Sequence, residues 1–257
     1  MKLYEEDISE LKFMKKYPLQ LFYDGNLELL KQTKVSIVGT RKPSKYSRAL
    51  IHTLSTSLSK RGVVVVSGGA MGIDAVAHLG AKSSNTIAVL PCGIDIKYPA
   101  VNKKLLADIQ TDGLLLSQFD IGFKATPWSF VLRNELVVAL GDVLVVGEAE
   151  LGSGSMRSVE FALKMGKDIF VLPQRIGESS ATNKLLEEGK AKAIYDIDEF
   201  CSRFGELELK ETIQDSFMTF CKTNPTYDEV LKKYPDRIFE AELSGEILVE
   251  NGLVSLL

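Results

Sequence analysis

The 257-residue chain has few of the residues that most often carry out chemistry: two histidines, three cysteines and one tryptophan. Cys92, Cys201 and Cys221 are far apart and show no metal-ligand spacing, which argues against a zinc site or a disulfide scaffold. The chain has no apolar run near the roughly 20 residues that span a bilayer, and its first residues are mixed charges instead of a signal peptide. We therefore expect a cytoplasmic protein with reduced thiols, no membrane insertion, no metal and no cofactor.

The usual nucleotide fingerprints are also missing. The loop after the first apolar run reads GTRKPS over residues 39–44, which is neither the dinucleotide pattern G-x-G-x-x-G nor a Walker A loop. It offers instead a glycine, a hydroxyl and the two cations Arg41 and Lys42. Those groups suit a phosphate, although a solvated turn with two exposed cations explains them as well.

The net charge of −3 is unevenly distributed. From Glu206 onward the chain has 11 acidic and 5 basic residues, so the remainder is mildly basic. That remainder permits an anionic ligand, whereas the acidic tail does not resemble a DNA-binding surface.

Short apolar runs alternate with helix-length segments between residues 34 and 200. The runs are at 35–38, 63–66, 86–90, 114–116, 143–146 and 169–172, each bounded by Gly, Pro or Asp. Strands that are apolar on both faces are typical of a parallel sheet with helices on both sides. The pattern predicts an α/β fold with a doubly wound, mostly parallel sheet.

Four segments follow from this organisation. Residues 1–33 are expected to be a short N-terminal extension, 34–205 the α/β domain and 206–216 a polar linker. In residues 217–257, two helical stretches at 227–234 and 238–243 precede two apolar runs that flank Asn251 and Gly252, a hairpin signal. Helices followed by a hairpin predict a small C-terminal winged-helix-like module.

In open parallel sheets ligands bind beyond the carboxyl ends of the strands, so the loops there are candidate sites. The second loop, SGGAMGID at 67–74, exposes glycine amides at a helix start and favours an anion site over a merely tight turn. The third contains Ser153, Gly154 and Ser155, which are typical of helix capping or of another phosphate cradle. Between them lie Phe130 and Arg133, a stacking platform if the ring is exposed and core if it is buried.

The sequence offers few residues that could form a catalytic site. His78 lies four residues after Asp74, so both should share one helix face, and a charge-assisted pair that stabilises the helix is the simplest interpretation. No sequence signature supports a triad with Ser67. We therefore do not expect an enzyme.

Taken together, the loops resemble the DNA-processing protein A (DprA/Smf) family. The segments that match its motifs, in chain order, are VSIVGTR at 35–41, SGGAMGID at 67–74 with Ala77 and His78, TIAVLPCGID at 86–95 with Tyr98 and Pro99, FVLRN at 130–134, and EAELGSGS at 148–155. Each motif alone is weak, but five in order, each after an expected strand, are specific. Departures are Glu135 at a position that is basic in the family motif, Gln118 after Ser117, and Gln174 after Pro173.

The resemblance implies a Rossmann-like, homodimeric protein that binds single-stranded DNA, protects incoming DNA during natural transformation and helps load the RecA recombinase. Carried over motif by motif, it implies phosphate contacts from Arg41 and Lys42, base stacking on Phe130, and a groove completed by Arg133. The remaining DNA-binding candidates are the loop residues Ser67, Gly68, Gly69 and Gly72, the helix start at Ser153, Gly154 and Ser155, and the extra cation Lys124. For the acidic C-terminal module we hypothesise protein interaction instead of DNA binding.

Two alternatives remain. Enzymes that hydrolyse nucleotide N-glycosidic bonds, such as phosphoribohydrolases, share a similar second loop, but their P-G-G-x-G-T-x-x-E motif is absent from residues 148–155. A nicotinamide-dependent oxidoreductase is suggested only by the fold, because the glycine fingerprint is missing.

Overall fold

The structure is a computed structural model that describes residues 2–207, 216–243, 246–250 and 252–256. The chain divides into two compact units, Met1–Leu207 and Glu208–Leu257. Within the described residues, no helix combines the length and the apolar character that a membrane crossing requires. Cys92 and Cys201 are buried as free thiols, and burial raises the pKa of each to about 11, so both remain protonated at neutral pH.

Nine strands of the first unit form one sheet in the order β1-β2-β6-β5-β4-β3-β7-β8-β9. They are β1 (Lys2–Leu3), β2 (Phe22–Gly25), β3 (Lys34–Val38), β4 (Val64–Ser67), β5 (Thr86–Leu90), β6 (Leu114–Ser117), β7 (Val143–Val146), β8 (Ile169–Val171) and β9 (Lys192–Ala193). Pairing is parallel from β6 to β9 and antiparallel at β1–β2 and β2–β6. The predicted doubly wound, mostly parallel sheet is confirmed.

The helices of this unit are α1 (Lys45–Ser59), α2 (Ile73–Ala81), α3 (Lys103–Asp112), α4 (Pro127–Leu140), α5 (Gly154–Lys164), α6 (Ser180–Glu187) and α7 (Ile197–Ser202). Local signals set two of their starts. The Ser44 hydroxyl accepts the amide of Ser47 at the start of α1. Thr126 and Ser129 form a reciprocal capping box at α4, with Pro127 in the first turn, where a missing amide costs nothing.

The strands are apolar on both faces because each face is covered by helices. On β4, Val64 and Val66 pack into a cluster with residues of α4 and α5. Val65, between them, points to the opposite face and packs with residues of α1 and α2. A core on both sides of the sheet explains the continuous valine run that the sequence places here.

The strand order reverses at β3, which positions the candidate site. β4, β5 and β6 follow on one side of β3, and β7 and β8 follow on the other. The loops after β3 and β7 therefore diverge and leave a crevice at the carboxyl edge, the place where open α/β sheets bind ligands.

Residues 2–33, which we expected to be an extension before the domain, join the same sheet. β2 pairs with the edge of β6 in antiparallel register, with Phe22 opposite Ser117 and Gly25 opposite Leu114. Leu11, Leu29 and Leu30 are buried in the main core cluster. The segment therefore completes the α/β unit.

The second unit contains three helices, α8 (Ser216–Cys221), α9 (Tyr227–Lys233) and α10 (Pro235–Leu243), and a hairpin of β10 (Ile247–Glu250) and β11 (Leu253–Leu256). Phe217, Val230, Ile247 and Val254 are among its buried core residues. Ile247 pairs with Leu256 and Glu250 with Leu253 around the predicted turn. Asn251 of that turn lies outside the described residues, as do residues 208–215 of the expected linker. Three helices followed by a hairpin form the expected winged-helix-like arrangement.

Candidate functional site

A cavity of about 530 Å³ lies in the crevice at the reversal of strand order. Its lining includes seven of the twelve predicted site residues: Arg41, Lys42, Phe130, Arg133, Ser153, Gly154 and Ser155. An adjoining cleft is lined by Arg41, Gly68, Phe130 and Arg133 together with Met71 and Tyr98. Ser67, Gly69, Gly72 and Lys124 line neither space.

The loop after β3 is held at its start by Thr40, and its cations Arg41 and Lys42 are exposed at the cavity. The Thr40 amide donates to the carbonyl of Glu148 at 2.8 Å, and the Thr40 carbonyl accepts the amide of Ile73 at 3.1 Å. Gly72 has φ +81°, and a Cβ there would overlap the backbone of Thr40 and Arg41. Glycine is therefore required at position 72 for close packing against this loop, which is a structural role.

Phe130 is half-buried beside the two arginines of the site. The guanidinium carbon of Arg41 lies 5.6 Å from the ring centroid, and that of Arg133 lies 5.9 Å from it. Tyr98 contacts the ring edge-on, with centroids 5.8 Å apart. The ring therefore lies between the cavity and the cleft. The two guanidinium groups beside it make favourable cation–π contacts with it.

The glycine-rich loop after β4 holds a carboxylate of the protein itself. Asp74 Oδ2 accepts the amides of Gly68 at 3.2 Å and Ala70 at 3.4 Å. The Ser67 hydroxyl is fully buried and donates to the carbonyl of Ile37 at 2.6 Å. The amides of Gly68 and Ala70 are thus bound by a carboxylate of the chain itself, and the Ser67 hydroxyl is bound to a backbone carbonyl.

Arg133 of α4 is only 5% exposed and contacts this loop with its guanidinium group. Its Nη1 donates to the carbonyls of Gly68 and Val89 and lies 3.9 Å from Asp74 Oδ2. Burial lowers the pKa of Arg133 and raises that of Asp74, while the attraction between the two opposes both shifts. Arg133 therefore positions the loop and Phe130 in addition to lining the cavity.

The expected pair between Asp74 and His78 does not form. His78 Nδ1 lies 2.7 Å from the hydroxyl of Thr86, on the neighbouring strand β5, while Asp74 faces Arg133. Full burial lowers the pKa of His78 to about 3, so the ring is neutral. The helix spacing was correct, but tertiary partners outcompeted the local one.

The start of α5 offers unsatisfied polar groups to the cavity. Ser153 occupies the N-cap position without a side-chain cap bond, and its buried Oγ has no hydrogen-bond partner among the described residues. The first amides of a helix point away from it and favour an anion. Ser153, Gly154 and Ser155 therefore form the part of the cavity wall best suited to a phosphate.

The site candidates did not include every lining residue. Thr40, Asn134 and Tyr98 face the cavity or the cleft. Tyr98 and Asn134 stood inside quoted motifs, and position in the motif was the signal that could have identified them. Lys124 is exposed in the loop before α4, next to Phe123 and outside the cavity lining.

Comparison with known proteins decides the family. The sequence profile of DNA recombination-mediator protein A matches residues 2–205. The chain belongs to this family.

Relatives within the family match across most of the chain. It is 38% identical over 190 residues to DNA processing protein DprA of Streptococcus pneumoniae, an alignment that covers 72% of this chain and 66% of that protein. It is 31% identical over 227 residues to protein Smf of Escherichia coli, covering 86% and 59%. The chain thus spans about two thirds or less of the length of these curated relatives.

Solved structures agree with this. The structure of DNA processing protein A from Helicobacter pylori superposes with a TM-score of 0.77 at 41% identity, covering 79% of this chain and 94% of that one. The Streptococcus pneumoniae DprA structure gives 0.74 at 34% identity, covering 80% and 75%.

The structure accounts for two departures from the DprA/Smf motifs. Glu135 is buried away from the cavity, and its Oε1 accepts the amide of Lys15 at 2.9 Å, which ties the N-terminal segment to α4. Gln174 Nε2 donates to Ser47 Oγ at 3.0 Å and to the carbonyl of Gly147 at 3.1 Å. Both side chains serve internal contacts, and neither lines the cavity.

Proposed function

We propose that this chain binds single-stranded DNA in the cavity at the carboxyl edge of the sheet, protects incoming DNA during natural transformation and helps load the RecA recombinase. The observation that carries the proposal is the contact of exposed Arg41 with the half-buried ring of Phe130 at the cavity. A guanidinium for phosphate beside a ring for a base is the combination that single-strand binders use.

The family supports the choice of ligand. The Helicobacter pylori relative is described by its unique single-stranded DNA binding mode, and the matching family is a recombination mediator. In this chain Arg41 and Lys42 would contact phosphates, the start of α5 would receive another, and Phe130 would stack on a base. Gly69 and Gly72 would shape the neighbouring loop, and Ser67 and Gly68 would hold it.

We propose further that the chain is not an enzyme. Among the described residues that line the cavity, the one carboxylate is Asp74, and its oxygen already accepts two amides and faces Arg133. Such a group is poorly placed to act as a general base for hydrolysis of an N-glycosidic bond. The phosphoribohydrolase alternative therefore lacks a candidate for its acid–base step.

Homodimerisation and a cytoplasmic location are parts of the same proposal, as is the division into an α/β domain at 34–205 to which residues 1–33 belong, a linker at 206–216 and a C-terminal module at 217–257. The C-terminal module, whose region is acidic, is assigned to protein interaction. Deletion of residues 206–257 is then expected to leave the affinity for single-stranded DNA unchanged, measured by the same titration as for the whole chain. A large loss of affinity would assign DNA binding to the module instead.

The direct test is a fluorescence-anisotropy titration of labelled oligo-dT at several salt concentrations, with duplex DNA of equal length in parallel. The proposal expects tight binding that prefers the single strand and weakens with salt. Absence of binding at low salt, together with turnover of a nucleoside monophosphate, would replace it with the hydrolase alternative.

A further inference from the structure

A second aromatic surface lies on the other side of α4 from the cavity. A groove of about 540 Å³ is lined by residues of the N-terminal segment, of the loop after β6 and of α4. Its aromatic wall consists of Phe119, Phe123 and Trp128. We refer to this surface as the aromatic groove.

The three rings support one another and leave the indole accessible. Phe119 and Phe123 stack with centroids 4.7 Å apart, and Trp128 meets both nearly at right angles, at 5.5 and 5.7 Å. Trp128 remains 53% exposed. A ring held in place by its neighbours loses little conformational freedom when a ligand stacks on it.

The groove also contains an unused polar donor. Gln118 Nε2 is buried and has no hydrogen-bond partner among the described residues, and Gln118 lines the groove. A buried donor without a partner costs free energy, which a ligand acceptor such as a carbonyl oxygen would recover. The chemistry of the groove is thus a flat aromatic face with an amide donor nearby.

Three of the five charged side chains in and next to the groove are lysines. Lys15 and Lys16 line it, and Lys124 is the neighbour of Phe123 in the chain. No carboxylate in the described part of the chain pairs with these three exposed lysines. Two carboxylates also line the groove, and both accept hydrogen bonds from neutral amides: Glu135 from the backbone amide of Lys15, and Asp120 from the Gln20 side chain.

One helix connects the groove with the cavity. From α4, Phe130, Arg133 and Asn134 line the cavity, whereas Trp128, Leu132 and Glu135 line the groove. Trp128 and Phe130 are two residues apart, about 200° around the helix, so their rings stand on opposite sides of its first turns. The cavity and the groove therefore share one helix and use different sides of it.

From the shared helix, the exposed indole and the lysines without an ion pair among the described residues we infer that the aromatic groove is a second nucleotide subsite for the same single strand. A base stacks on Trp128, its carbonyl accepts from Gln118 Nε2, and Lys15, Lys16 and Lys124 receive adjacent phosphates. This inference rests on the proposed binding of single-stranded DNA in the cavity. It also gives Lys124, which is not part of the cavity lining, a role in the same complex.

Because Trp128 is the only tryptophan of the chain, intrinsic fluorescence of the unmodified protein reports on the groove directly. We would titrate the whole protein with an oligo-dT series of increasing length and record anisotropy of the labelled strand beside tryptophan emission. The shortest strands that bind should leave the emission unchanged. Longer ones should quench it as a base stacks on the indole.

Substitution tests the same step by affinity. Trp128→Ala should weaken binding of long strands about tenfold, within the range that base–aromatic stacking supplies, and leave short strands unaffected. Trp128→Phe, which keeps a stackable ring, should recover most of the loss. Tyr195→Ala, at an aromatic that is 86% exposed outside both lining sets, is the matched control and should change nothing.

The outcomes separate this inference from the proposed function. If no strand of any length binds, both fail. If strands bind and depend on Arg41, but neither emission nor the Trp128→Ala affinity changes with length, the inference alone is overturned. It is likewise overturned if Trp128→Ala leaves DNA binding intact and instead changes self-association measured by sedimentation, because the groove would then hold a second copy of the chain.

Discussion

Removing Arg41 and removing Phe130 should weaken DNA binding in two distinguishable ways. Each phosphate neutralised on a single strand contributes about −0.7 to the slope of log affinity against log salt. Arg41→Ala should therefore reduce the steepness of that slope by about 0.7. The ratio of the unmodified protein's affinity to that of the variant should then fall by about 2.6-fold when the salt concentration rises fourfold. Phe130→Ala should lower affinity by about 5- to 150-fold, the equivalent of 1–3 kcal/mol of stacking, with nearly the same slope as the unmodified protein.

The two effects are coupled, because the Arg41 guanidinium lies 5.6 Å from the Phe130 ring. An exposed cation–π contact contributes about 0.5–1 kcal/mol, and the contact already exists without DNA, so the double variant should lose less than the sum of the single losses by at most that amount. The assay is anisotropy of labelled oligo-dT at four or more salt concentrations. Arg203→Ala, an exposed arginine outside the cavity lining, is the control and should keep both affinity and slope.

Identical behaviour of Arg41→Ala and Phe130→Ala would contradict the separate roles of the two side chains. Equal slopes would mean that Arg41 contacts no phosphate. A reduced slope in both would mean that Phe130 serves only to hold the cation and stacks on no base.

Two further predictions concern stability. Gly72→Ala should lower the free energy of unfolding by about 1–3 kcal/mol, because φ +81° strains an L-residue and the new Cβ would overlap Thr40. Urea unfolding measures this loss. The control is Gly154→Ala, which has open space around its Cβ and should have a far smaller effect. His78 has a pKa of about 3 in the folded state, against 6.5 for an unperturbed histidine. Between pH 6.5 and pH 3 only the unfolded state therefore binds the proton, and the free energy of unfolding falls by about 1.4 kcal/mol for each pH unit of acidification. His78→Gln should be less stable at neutral pH yet lack that part of the acid dependence, and an unchanged pH profile would contradict the burial argument.

The apolar runs predicted the central sheet because strands buried on both faces have a continuous hydrophobic signal. β2 was not predicted, since Phe22–Gly25 is a short strand with an aspartate in it, and an antiparallel partner about ninety residues away leaves no local pattern. The Asp74–His78 pair was wrong for a related reason. Spacing along a helix identifies neighbours on one face, whereas Arg133 and Thr86 reached these side chains from other elements.

Within the candidate site, the loop motifs identified residues that do lie at one cavity, because parallel strands bring their carboxyl ends to one edge. They could not distinguish side chains that face a ligand from those that support the loop. Arg41 and Arg133 look alike in the sequence, yet one is exposed and the other is buried against Asp74. The DNA contacts assigned to the twelve residues remain predictions.

The two ends of the large sheet constrain how copies of this protein can meet. β1 and β9 at its edges are each only two residues long. An edge that short presents too few unpaired backbone groups to template an incoming strand. Association of two copies at the β9 edge would therefore use side-chain surfaces of helices and loops instead of continuing the sheet, and single substitutions on those surfaces would change its strength.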